Sequence, residues 1–169
     1  MSEMAVELAT GGPDETQAMA AAFAGLCRPD DVVALEGMLG SGKTCFVKGL
    51  AVGLGVTDQR EVTSPTFVLL HRYAGRLVLH HFDAYRLRRA EEMERIGCAE
   101  VFESGGVSVI EWADHVAECL PPEHFLLSIV VADATERHFE LKARGPGPRS
   151  RMEAFGRVLS AWRRGNGKG

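Results

Sequence analysis

Several features of secreted and membrane-spanning proteins are scarce or missing in this sequence. Its 4 cysteines lie far apart, with no CxxC pair and no zinc-site spacing, so we expect free thiols in a reducing cytoplasm. The longest apolar run, residues 125–132, is far shorter than the ~20 residues of a membrane span. The first 12 residues have neither a basic start nor a long apolar run, which predicts no signal peptide. We therefore expect a cytoplasmic protein without membrane contact.

An excess of positive charge is also missing. The chain has 19 lysines and arginines against 23 aspartates and glutamates, a formal net charge of −4. Proteins that bind nucleic acid over a broad surface need many lysine and arginine contacts to phosphates. The charge balance argues against such binding, although the chain could still dock beside a partner that holds the nucleic acid.

The pattern of apolar residues divides the chain into alternating strands and helices. Strands are predicted at 4–10 (an edge strand), 32–35 and 106–113, hairpins at 66–83 and 124–144, and helices at 15–27, 43–55 and 88–104, with Asp14 capping the first helix. A last helix follows a break at 145–148. Because the hairpins add antiparallel pairs to an alternating order, we predict an α/β domain with a mixed parallel and antiparallel sheet.

The predicted strand at 77–83 contains two adjacent histidines, His80 and His81. Successive strand residues point to opposite faces, so these two cannot chelate one metal ion together. We expect packing or supporting roles for both. Each face of the strand also has apolar residues, which predicts that the sheet is covered on both sides at this point.

The stretch GMLGSGKT contains the phosphate-binding pattern G-x-x-x-x-G-K-[ST], formed by Gly37, Gly42, Lys43 and Thr44. With average residue frequencies, the pattern should arise in about one chain of this length in a hundred. Here it also lies in the required context, after an apolar strand and at the start of a helix. The glycines, Gly40 included, let backbone N–H groups face phosphates, and the helix adds its positive end.

The side chains after the glycines predict which ligand the loop binds. Lys43, expected on the solvent side, supplies a positive charge for the β- and γ-phosphates, and the Thr44 hydroxyl is a hard oxygen ligand for Mg²⁺. The motif therefore indicates a nucleoside triphosphate with magnesium. No N/T-K-x-D guanine motif and no DxxG switch accompany it, which favours ATP.

Two carboxylates stand at the ends of apolar strands: Asp83 follows LVLHHF and Glu111 follows GVSVI. A carboxylate at the tip of a buried strand beside the phosphate loop is the Walker B arrangement, which serves the metal or places water. We therefore predict both as active-site acids, with solvated loop carboxylates as the alternative. Trp112 either stacks on a base or fills the core, and the sequence does not decide between these roles.

With these motifs in order, the chain resembles the TsaE family, the ATPase component of bacterial tRNA N6-threonylcarbamoyladenosine (t6A37) biosynthesis. The resemblance runs from about Val32 to Leu120 and rests on GMLGSGKT, VTSPTF, HFDAYRL, GCAEVF and VIEW. It implies a P-loop NTPase-like three-layer fold and an Mg-dependent ATPase. It also implies partners, since the family's ATPase binds and resets a complex of TsaD and TsaB and meets tRNA only through that complex.

The motif and the resemblance together assign site residues. Nucleotide contacts are expected from Gly37, Leu39, Gly40, Ser41, Gly42, Lys43, Thr44, Cys45, Thr66 and Trp112, catalytic roles from Lys43, Asp83 and Glu111, and metal binding from Thr44 and Glu111. Arg86 of HFDAYRL serves either the phosphates or the partner surface. Met38 stands where the family usually has aspartate, so one acid near the phosphates is missing, whereas cradling by backbone N–H groups needs no side chain.

Two other functions are alternatives to a partner-dependent ATPase. A small-molecule P-loop kinase would bring several arginines in a lid over the phosphates, but the candidate lid at 57–66 offers only Arg60. A nucleotide-responsive binding module without efficient hydrolysis is the other alternative, and Met38 favours it.

The C-terminal segment, residues 146–169, is predicted to be an amphipathic basic helix and flexible tail that belong to the same domain as the ATPase region at 1–145. Its apolar arc consists of Met152, Phe155, Val158, Leu159 and Trp162 and is expected to dock on that region. Its arginines at 149, 151, 157, 163 and 164 are expected to form a solvated basic face, with an approach to tRNA or an acidic partner as the alternative.

Overall fold

The computed structural model describes residues 4–63 and 69–166. Within these ranges the strands are β1 (Met4–Thr10), β2 (Val32–Gly37), β3 (Leu70–Tyr73), β4 (Leu79–Asp83), β5 (Val107–Glu111), β6 (His124–Val131) and β7 (Arg137–Arg144). The α-helices are α1 (Pro13–Ala24), α2 (Lys43–Gly53), α3 (Ala90–Arg95), α4 (Cys98–Phe102) and α5 (Pro146–Asn166), and 3₁₀ turns lie at Gln59–Glu61 and Ala113–Cys119. None of the described helices combines the length and the apolarity that crossing a membrane requires.

The strands form one sheet in the order β1-β7-β6-β2-β5-β4-β3. β2 pairs in parallel with β5 and β6, and β4 pairs in parallel with β5. The pairs β1–β7, β6–β7 and β3–β4 are antiparallel. The predicted mixed α/β sheet is therefore confirmed, as is the position of β1 at its edge.

Apolar residues cover the central strands on both faces. The fold therefore has three layers there, with the sheet between two layers of helices and turns. The larger core lies against α1, α2 and α5 and includes Phe23, Phe46 and Phe155. The smaller core lies against α3, α4 and the second 3₁₀ turn and includes Phe102. β4 contributes Leu79 to the first core and Phe82 to the second, so the prediction that this strand is covered on both sides is confirmed.

The first helix does not begin as predicted. Gly12 is the N-cap and Pro13 the first helical residue, so Asp14 lies inside the first turn and does not cap the helix. A proline fits this position because its missing N–H would have no partner inside the helix anyway. The Glu15 carboxylate instead accepts a hydrogen bond from the Gly11 N–H at 2.8 Å.

Two other helix predictions were also wrong. Residues 88–104 form two short helices, α3 and α4, because Gly97 between them takes a left-handed conformation with φ of 77°. The break predicted at 145–148 is limited to Gly145, since α5 begins at Pro146, where the C-terminal segment was predicted to start. Proline is tolerated in the first turn of a helix.

α5 packs on the larger core through Met152, Phe155 and Leu159, all buried. Val158, predicted on the same arc, is 53% exposed. The side chains of Trp162, Arg163 and Arg164 lie outside the described part of the structure. The apolar arc is therefore narrower than the sequence pattern predicted.

The prediction of a solvated basic face was wrong for Arg151. Its guanidinium donates to both carboxylate oxygens of Asp31, at 2.5 and 2.8 Å, and these side chains are only 11% and 10% exposed. Arg151 also donates to the Leu26 carbonyl at 2.9 Å. The pair ties α5 to the segment that precedes β2, whereas Arg157 on the same helix is exposed.

Replacing Arg151 with Met is expected to lower the free energy of unfolding by about 3 kcal/mol, because it leaves the Asp31 carboxylate nearly buried without its partner. Urea unfolding followed by circular dichroism measures this loss. The matched control is Arg157→Met on the same helix, which should change stability by less than about 0.5 kcal/mol. Equal stability of the two variants would show that the ion pair does not stabilise the fold.

Candidate functional site

The glycine-rich loop lies where the carboxyl ends of parallel strands meet. β2 ends at Gly37, the loop follows, and α2 begins at Lys43. Strand register places Asp83 beside Glu111 on neighbouring strands. A cavity of about 360 Å³ at this edge is lined by Leu39, Gly40, Ser41, Gly42, Lys43, Thr44, Cys45, Asp83, Tyr85, Glu111 and Trp112.

Most of the predicted site residues therefore meet in one cavity. Gly37 contributes the start of the loop, while Thr66 lies outside the described residues. Larger cavities, of about 670 and 730 Å³, lie against β1 and β7 and at the opposite end of β4, away from the loop. We assign the site by its chemistry rather than by cavity size.

The loop backbone needs glycine for two different reasons. Gly40 and Gly42 take left-handed φ values of 77° and 107°, which side chains disfavour. At Gly37 a side chain would come within 2.9 Å of the Ile129 carbonyl oxygen and 2.5 Å of the Ser41 Oγ. The tight loop leads directly into the N-terminus of α2, whose N-cap residue offers no side chain to bind the first N–H groups. Such a terminus favours an anionic ligand.

Lys43 is not on the solvent side, and that prediction was wrong. It is only 5% exposed, because its ammonium donates to the Gly37 carbonyl at 2.5 Å and the Met38 carbonyl at 3.0 Å. The ammonium also lies 3.8 Å from the centre of the Trp112 ring. Burial lowers the pKa of Lys43, and the Glu111 carboxylate opposes that shift. The lysine is thus held inside the loop by neutral oxygens and an aromatic face.

Both carboxylate oxygens of Glu111 have hydrogen-bond partners. Thr44 donates its hydroxyl to Oε1 at 2.8 Å, and the Nε2 of His81 lies 2.5 Å from Oε2. Glu111 is 3% exposed. His80 points to the other face and contacts the Ser104 hydroxyl at 3.0 Å. The two histidines therefore do lie on opposite faces, and only His81 reaches the candidate site.

Asp83 and Trp112 complete the wall opposite the loop. Asp83 is 5% exposed and accepts the Tyr85 N–H at 2.9 Å. Trp112 has φ of 60°, and its half-buried ring lies 4.9 Å from the Tyr85 ring and 5.5 Å from the His115 ring. Trp112 thus lines the cavity and also packs against the smaller core. Its role in the core is confirmed, and stacking on a base stays a prediction.

Sequence reasoning missed Arg137, which supports the loop from β7. Its Nε donates to the Ser41 carbonyl at 3.0 Å, and its Nη1 donates to the Asp133 carbonyl at 2.9 Å. The residue belongs to no motif and lies far from the loop in the chain, so no sequence signal could have found it. Met38 and Leu39, by contrast, are 81% and 79% exposed at the loop tip. The position where the family usually has aspartate thus points into solvent.

Comparisons with known proteins agree on one family. A sequence model of the family described as threonylcarbamoyl adenosine biosynthesis protein TsaE matches residues 10–139. The tRNA threonylcarbamoyladenosine biosynthesis protein TsaE of Treponema pallidum is 51% identical over 109 residues, 64% of this chain and 79% of that protein. The protein of the same name from Bacillus subtilis is 44% identical over 137 residues, 80% of this chain and 84% of that protein.

A solved structure is also similar along nearly the whole chain. The crystal structure of Bacillus subtilis YdiB superposes with a TM-score of 0.81 at 34% identity, covering 94% of this chain and 98% of that one. The residues that the family model matches include the glycine-rich loop, Asp83 and Glu111. The chain therefore belongs to the TsaE family.

Proposed function

We propose that this chain is an Mg-dependent ATPase that assists t6A37 formation in tRNA by binding and resetting a TsaD–TsaB complex. The observation that supports this proposal most strongly is the convergence of Lys43, Thr44 and Glu111 on one glycine-rich loop. That combination supplies a cation for phosphates, an oxygen ligand for a metal and a carboxylate beside both. Membership of the TsaE family adds the biological setting, because its relatives are named as threonylcarbamoyladenosine biosynthesis proteins.

The chain's own groups suit a triphosphate. Backbone N–H groups between Gly40 and Thr44 would cradle the phosphates, and the Lys43 ammonium would turn from its two carbonyl partners toward the β- and γ-phosphates. Trp112 would keep the ammonium at this end of the cavity, since the centre of its ring already lies 3.8 Å from it. ATP is proposed over GTP because the sequence lacks the guanine-reading motif.

The donor set also suits magnesium. Mg²⁺ in nucleotide sites takes oxygen ligands, keeps several waters and needs only one or two protein groups, and Thr44 and Glu111 provide these. In the described part of the chain, no group of three or more His, Cys, Asp or Glu side chains is arranged to hold a metal by itself. When bound, the ion would neutralise charge on the phosphate oxygens. Asp83, as the second active-site acid, would orient the attacking water.

A protein partner fits the rim of this site. Met38, Leu39 and Tyr85 expose 81%, 79% and 48% of their surfaces around the cavity mouth. Exposed apolar side chains that gather at one place are typical of interaction surfaces. In our proposal TsaD and TsaB cover this rim, tRNA is reached only through them, and Arg86, exposed beside Tyr85, faces either the partner or the phosphates.

The proposal is tested by measuring phosphate release from Mg-ATP by the chain alone and with a TsaD–TsaB pair added. We expect slow turnover alone, a clear rise with the pair, and loss of turnover when EDTA removes the metal. Nucleotide binding without hydrolysis, even with the pair present, would instead support the binding-module alternative.

A kinase would transfer the phosphate to an added acceptor rather than to water. The candidate lid gives this alternative little support, since Arg60 is 95% exposed and its guanidinium contacts Asp58.

A further inference from the structure

His81 is a fully buried side chain directly beside the candidate site. It is 0% exposed and lies on β4, two residues before Asp83 and on the same face of the strand. The register of β4 and β5 pairs His81 with Val109 and Asp83 with Glu111. The imidazole therefore lies one step behind the Glu111 carboxylate, on the side away from the cavity.

The hydrogen bonds around Glu111 divide its two oxygens between two donors. Oε1 accepts from the Thr44 hydroxyl at 2.8 Å, and Oε2 lies 2.5 Å from the His81 Nε2. We assign the ring proton to Nε2, because the carboxylate oxygen is the acceptor in this contact and the ring must then donate. A glutamate side chain has three rotatable torsions, and a single donor would leave the carboxylate free to swing. Hydrogen bonds to two different elements, α2 and β4, hold it in one orientation.

The second ring nitrogen does not distinguish His81 from its neighbour, because the Nδ1 atoms of His80 and His81 are both buried without a hydrogen-bond partner among the described residues. The two histidines differ at Nε2. The Nε2 of His81 contacts the Glu111 carboxylate, whereas the Nε2 of His80 contacts the Ser104 hydroxyl. A role for His81 at the candidate site therefore rests on its contact with Glu111.

We propose that His81 is a positioning residue for Glu111. It donates Nε2–H to Oε2 and thereby keeps Oε1 turned toward Thr44 and the phosphate side of the cavity. His81 is fully buried and does not line the cavity, so it acts on the site through the carboxylate. This inference rests on the proposed ATPase function.

Two substitutions at His81 distinguish the effect of losing the N–H donor from the effect of changing the volume of the side chain. His81→Leu removes the N–H, whereas His81→Gln keeps an N–H donor at about the same reach. With TsaD and TsaB present, His81→Leu is expected to lower kcat for Mg-ATP about 10- to 100-fold with little change in KM. His81→Gln should recover most of that loss. The matched control, His80→Gln, alters the adjacent histidine on the opposite face and should leave turnover unchanged.

Coupling to Glu111 is tested by a double-mutant cycle. In a Glu111→Gln background, His81→Leu should add little further loss, because the group through which it acts has already been changed. An additive loss, or wild-type turnover in His81→Leu, would overturn the proposal.

A spectroscopic measurement tests the contact without relying on turnover. The Nε2–H proton of His81, assigned by its absence in His81→Gln, should resonate far downfield in the wild type and move upfield in Glu111→Gln. A resonance that does not move would contradict the contact. Because this measurement does not use His81→Leu, it stays decisive if that variant does not fold. If the wild type hydrolyses no ATP under any condition, the proposed function fails, while the resonance still reports on His81.

Discussion

Replacing Lys43 with Met is expected to weaken the binding of Mg-ATP by about 100-fold, because it removes the charge–phosphate hydrogen bonds, worth about 1.5–3 kcal/mol each. Methionine keeps an unbranched apolar stem, which suits the buried position of this side chain. The substitution also removes the hydrogen bonds from the ammonium to the Gly37 and Met38 carbonyls. It therefore loosens the loop as well as removing the charge. Isothermal titration with Mg-ATP measures the affinity.

The burial of Lys43 makes controls important for this variant. Lys48→Met changes a lysine on the same helix, farther from the loop, and should bind Mg-ATP like the wild type. Thermal unfolding of the nucleotide-free proteins checks that Lys43→Met still folds. Unchanged affinity in a folded Lys43→Met protein would exclude the lysine from phosphate binding and would weaken the whole nucleotide assignment.

Replacing Glu111 with Gln is expected to leave ATP affinity within a few-fold of the wild type while kcat falls about 100-fold, the scale for losing a group that acts mainly in the transition state. Glutamine keeps the shape of the side chain and can still accept a hydrogen bond from Thr44 or His81. Removing the negative charge from a position beside Thr44 is thus the main change. Single-turnover phosphate release with TsaD and TsaB present separates the chemical step from nucleotide binding.

The control for Glu111→Gln is Glu140→Gln, which makes the same change on β7, where Glu140 contacts Lys142. That variant should turn over at the wild-type rate. A Glu111→Gln protein that hydrolyses ATP normally would remove Glu111 from the mechanism and would leave Asp83 as the carboxylate to test next. Loss of nucleotide binding in Glu111→Gln would instead place the residue in ground-state binding.

Features that depend on neighbours in the chain could be predicted from the sequence. The glycine-rich loop is contiguous, and its place between β2 and α2 follows from the apolar strand before it and the helical residues after it. The two faces of β4 follow from the period of two in any strand. The pairing of Asp83 with Glu111 follows less directly, since it needs β4 and β5 to be parallel neighbours in register.

Helix ends were predicted less well because they depend on single residues whose conformation is set by the surrounding packing. Gly97 divides a stretch with continuous helical character. Glycine can take either sign of φ, so the sequence does not decide whether the helix continues through this position, and in the fold Gly97 takes a positive φ while α3 and α4 both pack on the smaller core. At Pro13 and Pro146 the sequence signals were present, but each proline opens a helix rather than preceding one.

The sequence by itself determined the order of the strands and the position of the glycine-rich loop and its two candidate acids, because these rest on local spacing and on alternation along the chain. Only the tertiary structure decided where long side chains end. Lys43 turns inward to loop carbonyls, Arg137 reaches Ser41 from β7, and His81 meets Glu111 across two strands. Long side chains bond to whatever group the fold brings within reach, and strand register and burial set that group rather than distance along the chain.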